Sequence, residues 1–249
     1  MSWALLFLAG IAGGLTGSIA GLASVATYPA LLAVGLPPVT ANVTNTVALV
    51  FNGVGSIWGS RPELRGQGHW LRRVVPVAAL GGLVGAALLL CTPAEGFEKL
   101  VPILLGLSAV AILLPRGQAS HVTKPRRRRG VLVAEGLAIF AITVYGGYFG
   151  AAAGVLLLAL LLRAGGATLP HANASKNVIL GVANAVAAVI FAVAAPVHWA
   201  AVAALGSGCL LGSRLGPVVV RHAPAGPLRL LIGAAGLALA VKLGLDAYR

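Results

Sequence analysis

The chain has 249 residues, of which 59% are hydrophobic and only 9% are charged, and its mean hydropathy is +0.96. No water-soluble domain of this size has such a composition, so the sequence predicts an all-α polytopic membrane protein. The formal net charge of +13 does not indicate a nucleic-acid partner, because the basic residues lie between the apolar segments, where Lys and Arg report membrane orientation.

The first apolar segment, residues 3–36, is too long for one upright crossing. As a straight helix of about 34 residues it would measure ~50 Å, against a hydrocarbon core of ~30 Å. The segment must therefore tilt, break or fold back. Its glycines, Gly13, Gly14, Gly17 and Gly21, lie where a break would fall, although Gly-x-x-x-Gly spacing also serves close helix packing. The N-terminal stretch at residues 1–10 lacks a basic region, so it is interpreted as mature protein and not as a cleaved signal.

The second segment, residues 40–58, carries a polar face. At ~100° per residue, Asn42, Asn45, Thr46 and Asn52 fall within an arc of about 120°. We expect this face to point away from lipid. A basic loop follows, and then come a third segment at 71–91, introduced by the interfacial pair His69-Trp70, and a fourth at 100–114.

The second half of the chain repeats this scheme. The run Gly-Gly-x-x-Gly-x-x-x-Gly at 13–21 recurs at 146–154, and Asn45 and Asn52 correspond to Asn177 and Asn184. The predicted organisation is a first transmembrane repeat at 1–115, a basic cytoplasmic linker at 116–130 and a second transmembrane repeat at 131–249. In each repeat a glycine-broken helix, which could be re-entrant, precedes three transmembrane helices.

Two topologies follow from this organisation. If each long segment crosses the membrane once, the two halves are parallel. If each folds back as a hairpin, the halves are inverted, and every Lys and Arg except Lys99, Lys242 and Arg249 lies on the cytoplasmic side. The positive-inside rule favours the inverted arrangement, which is common in secondary transporters.

The broken segments and polar faces predict an anion site. A helix that begins inside the membrane presents unpaired N–H groups at the positive end of its dipole, and asparagine amides and hydroxyls add further donors. Lys176 lies near the end of its segment, so its ammonium either contacts the anion or extends to the headgroups. The predicted substrate-binding residues are Gly17, Gly21, Ser24, Thr44, Asn45, Asn52, Gly150, Gly154, Lys176, Asn177 and Asn184.

Other chemistry is not supported. Cys91 and Cys209 have no disulfide or metal spacing, and no acidic residue lies deep in a predicted segment, which argues against a cation pump or a carboxylate proton relay. We expect no catalytic residues, no metal and no cofactor. The expected partners are a small anion and membrane lipid, without nucleic acid; a homodimer is compatible with the sequence, which does not fix the oligomeric state.

The repeated motifs resemble the sulfite exporter family of TauE/SafE type. They are Gly-Leu-Pro-Pro at 35–38 or Leu-Pro at 169–170, followed by Ala-x-x-Thr-Asn at 41–45 or Ala-Ser-Lys-Asn at 174–177. The resemblance implies a multi-pass carrier of the bacterial inner membrane, moving sulfite, sulfonate or thiosulfate-type anions by alternating access. The family usually has Thr-Ser where this chain has Thr44-Asn45 and Lys176-Asn177. An anion channel and a non-transporting membrane scaffold or assembly protein are the alternatives.

Overall fold

The computed structural model describes residues 3–97, 99–100, 103, 129–151, 153–163, 168–222, 241 and 245. Within these ranges the protein is helical, without strands. Its helices are α1 (Trp3–Ala20), α2 (Ala23–Ala33), α3 (Pro38–Gly59), α4 (Arg61–Leu64), α5 (Gly68–Cys91), α6 (Arg129–Tyr148), α7 (Ala153–Arg163), α8 (Leu169–Ala194) and α9 (Trp199–His222).

Five of these helices are long and apolar enough to cross a membrane, namely α1, α5, α6, α8 and α9. The predicted all-α polytopic membrane protein is thereby confirmed. Most of the predicted segment at 100–114, of a last predicted apolar segment at 228–244 and of the predicted linker lies outside the described residues, although α6 already begins at Arg129.

Glycine holds α1 and α9 in close contact. A Cβ atom on Gly14 would lie 2.4 Å from the carbonyl oxygen of Cys209, and one on Gly208 would lie 2.2 Å from that of Phe7. Small residues allow such backbone approach in membrane helices. Later residues of α1 contact later residues of α9, so the two helices run parallel. Gly81 contacts Phe140 and Gly85 contacts Val144, so α5 and α6 are also parallel.

The remaining contacts give the other helix directions. Gly55 faces Leu210 and Gly59 faces Arg214, so α3 is parallel to α9. By contrast, α3 is antiparallel to α8, because Gly53 faces Gly181 while Ser60, after the end of α3, contacts Asn177. In turn α8 is parallel to α5, since Gln67 contacts His171 and Gly82 faces Ala183. Thus α1, α3 and α9 run one way, and α5, α6 and α8 run the other.

The first long segment folds back on itself. A Cβ atom on Gly17 would lie 2.6 Å from Cβ of Ala23, and one on Gly13 would lie 2.3 Å from Cγ2 of Thr27. Because earlier residues of α1 contact later residues of α2, the two helices form an antiparallel hairpin. A single oblique crossing is not what the structure contains. Both interpretations of the glycines apply, since Gly14 packs against α9 while Gly21, with a φ of 77°, makes the turn.

The first apolar segment of the second half of the chain also breaks at a glycine. Gly150 has a φ of 74°, and α7 follows after a short turn. The two breaks lie against each other, because a Cβ atom on Gly21 would lie 2.3 Å from Cα of Gly154. The fold therefore brings the two glycine runs together, and the structure around this contact positions the candidate site.

Candidate functional site

A cavity of about 30 Å³ lies beside the contact between the breaks, large enough for more than one water-sized group. Its wall contains eight of the predicted binding residues: Gly17, Gly21, Ser24, Asn52, Gly150, Lys176, Asn177 and Asn184. They come from both halves of the chain. The structure places the other three, Thr44, Asn45 and Gly154, outside this wall.

Lys176 contributes a positive charge to the cavity wall. Its side chain is 0% exposed, and among the described residues it is the only fully buried charged side chain. Nζ donates to the carbonyl oxygens of Gly17 at 3.1 Å and Ser18 at 3.3 Å, at the end of α1. The alternative in which Lys176 extends to the headgroups is therefore wrong. Both acceptors are neutral carbonyls, so these two bonds leave its formal charge in place.

Asn45 acts on the cavity through Ser24. Thr27 donates from Oγ1 to Oδ1 of Asn45 at 2.5 Å, and Nδ2 of Asn45 donates to Oγ of Ser24 at 3.1 Å. The first bond fixes the orientation of the Asn45 amide. The second supplies Ser24 with a donor, so the Ser24 hydroxyl can direct its own proton elsewhere, and Ser24 lines the cavity.

Thr44 and Gly154 have contacts of other kinds. The Thr44 hydroxyl accepts a hydrogen bond from the backbone N–H of His198 at 3.0 Å, which joins α3 to the start of α9. Gly154 packs its backbone against Gly21. The roles of Thr44, Asn45 and Gly154 as direct ligands stay predictions.

The other asparagines present amides to the cavity from two helices. Asn177 donates from Nδ2 to the Ser60 hydroxyl at 3.3 Å. Oδ1 of Asn52 is buried and has no hydrogen-bond partner among the described residues. It lies 3.2 Å from the place of a Cβ atom on Gly17. A buried acceptor of this kind is normally satisfied by water or a ligand.

The first turn of α2 also borders the cavity, through Ala23 and Ser24. Its N-cap residue is Leu22, and no side chain caps this end of the helix. The first N–H groups of a helix have no partner inside it and carry the positive end of the dipole. This end therefore adds partial positive charge to that of Lys176.

Several wall residues were missed from the sequence: Ala23, Leu49, Gly53, Ser56, Leu180 and Gly181. Ser56 and Gly181 follow Asn52 and Asn177 by one helical turn, so i, i+4 spacing could have identified both. The leucines carry no such signal. Among the described residues, no group of three or more His, Cys, Asp or Glu side chains could hold a metal ion.

Comparison with known proteins identifies the family. The family model for the sulfite exporter TauE/SafE matches residues 6–243. The chain belongs to this family. It is 25% identical over 98% of its length to a probable membrane transporter protein, YfcA, from Escherichia coli strain K12, covering 90% of that protein. It is 28% identical over 98% of its length to a probable membrane transporter protein, ORF9, from Sinorhizobium sp, covering 92%.

A probable membrane transporter protein from Haemophilus influenzae is 26% identical over 87% of this chain and 84% of its own length. No solved structure gives a significant match. Family and relatives show that the chain is a membrane transporter and not an enzyme. With its helical spans and bacterial relatives, it is a multi-pass protein of the bacterial inner membrane.

Proposed function

We propose that this transporter carries a small sulfur oxyanion or organosulfonate, of the sulfite, sulfonate or thiosulfate type, by alternating access through the cavity between the two breaks. The buried ammonium of Lys176 in the cavity wall carries this proposal. The family name supports a sulfur oxyanion as the substrate class.

The cavity wall suits a small anion on energetic grounds. An anion ~4 Å from the Lys176 ammonium gains about 4 kcal/mol at an effective dielectric constant of ~20. Insertion scales place the cost of a lysine at a helix centre at about 3 kcal/mol. A bound anion therefore offsets the cost of keeping this charge inside. Donors from Ser24, the asparagine amides and the first turn of α2 would contact its oxygens.

The helix directions support alternating access. Each of α1, α3 and α5 runs opposite to its counterpart α6, α8 or α9, as in an inverted repeat. In secondary transporters, inverted repeats exchange the open end of a central site by rocking against each other. We infer that the predicted repeats are inverted and do the same here.

We infer that different groups close the two ends of the cavity. Toward the start of α3, the buried rings of Tyr28 and Phe97 both pack against Phe149, with centroids 5.4 and 5.9 Å away. Toward the end of α3, closure depends on polar bonds, from Asn177 to Ser60 and from Ser175 to Gln67. Polar bonds exchange readily with water, so we infer that this second end, beside the basic loop, opens in the next step.

Asn184→Leu tests the anion site. Asn184 lines the cavity from the middle of α8, and leucine removes its amide donors while keeping an apolar helix. Loss of a hydrogen bond to an anion costs about 1.5–3 kcal/mol, so the sulfite concentration for half-maximal flux should rise roughly 10-fold or more. Flux is measured with radiolabelled sulfite in proteoliposomes, and thiosulfate, sulfate and short sulfonates are compared as competitors.

Ser207→Leu is the matched control, because Ser207 is exposed on α9 and bonds only its own helix at Ala204. Normal sulfite flux in Asn184→Leu, at equal protein insertion, would refute the assignment of the site. Unlabelled sulfite outside should also accelerate efflux of trapped label. A channel would show conductance without such counterflow.

A further inference from the structure

The end of α1 resembles a cation site. The last carbonyl groups of a helix lack partners inside it and carry about half a negative charge. In transporters with broken helices, such carbonyls coordinate the coupling cation. Here Nζ of Lys176 bonds the carbonyl oxygens of Gly17 and Ser18 from 3.1 and 3.3 Å, inside the protein.

We propose that Lys176 is a tethered cation. Its ammonium occupies the position at the end of α1 where a monovalent metal cation of the sodium type would otherwise bind. It follows that this transporter needs no sodium at that position. The inference rests on the proposed function only in treating the cavity as the transport site.

The second break shows that a helix end here needs no lysine. At the end of α6, the Tyr148 carbonyl oxygen accepts a hydrogen bond from Nδ2 of Asn42 at 2.8 Å. The hydroxyl of Tyr145 donates to the carbonyl oxygen of Ala151 at 2.7 Å. The two donors described here are neutral, and Thr44, which corresponds to Lys176 in the sequence, accepts a hydrogen bond from the backbone N–H of His198 instead. A neutral donor can therefore bond a helix end in this fold, so capping alone does not require the charge of Lys176.

The surroundings of the Lys176 ammonium are rich in oxygen atoms. Besides the two carbonyls, the cavity wall contains the Ser24 hydroxyl and Oδ1 of Asn52, the buried acceptor without a partner among the described residues. Oxygen atoms are the ligands that hard cations prefer. Shortening the side chain at 176 would leave a space lined by these oxygens beside an existing cavity.

The test compares Lys176→Thr, which introduces the residue found at position 44, with Lys176→Met. Threonine opens the space and adds a hydroxyl oxygen, whereas methionine fills the space without a charge. The melting temperature of each purified full-length protein is measured in sodium chloride and in choline chloride at equal concentration. The wild type should melt at the same temperature in both salts. Sodium should raise the melting temperature of Lys176→Thr by roughly 5 °C, saturably, because it binds only the folded state.

Lys176→Met should have the same melting temperature in both salts, because methionine fills the space and adds no oxygen ligand. A higher melting temperature of the wild type in sodium than in choline would overturn the proposal, whether or not the variants fold. So would a Lys176→Thr protein that sodium does not stabilise beyond Lys176→Met. These measurements use no sulfite, so they can succeed when the flux experiment on Asn184→Leu fails, and they can fail when that experiment succeeds.

Discussion

The break after α1 and the break after α6 both turn at a glycine with positive φ, 77° at Gly21 and 74° at Gly150. They differ in the groups that satisfy the carbonyls of the interrupted helix. Lys176 and Asn173 bond the end of α1, while Asn42 bonds the end of α6. In both cases the capping side chain comes from the other half of the chain. Each half therefore completes the broken helix of its counterpart.

This exchange explains how two similar segments acquire different roles. A neutral amide stabilises the second break without adding charge, so that break can be buried among aromatic rings, as Phe149 is. The lysine at the first break adds charge beside a cavity. The two breaks thus differ in charge, since an ammonium bonds the end of α1 and a neutral amide bonds the end of α6.

The contact between the breaks should be the most sensitive point of the fold. In Gly21→Ala the new Cβ atom would lie 2.3 Å from Cα of Gly154, on a backbone with positive φ. Left-handed strain of about 1–2 kcal/mol and overpacking of about 1–3 kcal/mol both oppose folding. We expect the melting temperature in detergent to fall by roughly 10 °C.

Gly35→Ala is the matched control, since Gly35 has a φ of 88° but nothing within 4 Å of its Cβ position. It carries the left-handed strain alone, and its melting temperature should fall by roughly 4 °C. Equal shifts in the two variants would show that the breaks do not touch, and the comparison between them would lose its structural basis.

The two caps should differ in how much a single amide contributes. Asn42→Ala removes the bond that Tyr148 accepts at 2.8 Å and should cost about 2–3 kcal/mol of unfolding free energy. Asn173→Ala removes a similar bond of 2.9 Å to Ser18, but Lys176 still donates to that carbonyl oxygen. Its cost should be about 1 kcal/mol. Denaturant or thermal unfolding of both variants checks the order, and a larger loss in Asn173→Ala would contradict it.

Much of this arrangement was predictable from the sequence. Segment length required the first apolar stretch to depart from an upright helix, and the glycine run indicated where it turns. The charge distribution favoured a hairpin, and the hairpin of α1 and α2 is present. The asparagine face of α3 is inside the protein as predicted, with Asn42 and Asn45 fully buried.

The environments of individual polar residues could not be predicted. Periodicity places Asn45 and Asn52 on one face, but it does not show that Asn45 bonds Thr27 and Ser24 while Asn52 lines the cavity. The position of Lys176 depends on which helix end packs beside α8. The start of α8 was not predicted either: the helix begins at Leu169, with proline in its first turn.

The smallest expected effect concerns the Asn45 amide, whose oxygen and nitrogen both bond residues of α2, which follows the first break. Thr27→Val keeps the shape of the side chain but removes the hydroxyl that donates to Oδ1 of Asn45. The amide can then rotate, so Ser24 loses its fixed donor and its hydroxyl no longer points constantly into the cavity. Stability should fall by about 1 kcal/mol, while the sulfite concentration for half-maximal flux should rise roughly 3-fold to 5-fold.

Thr92→Val removes an exposed hydroxyl that bonds only Leu88 of its own segment, and it should change neither quantity. If Thr27→Val lowers stability but leaves sulfite flux unchanged, Asn45 holds α2 against α3 without orienting Ser24, and the first break influences substrate through Lys176 alone.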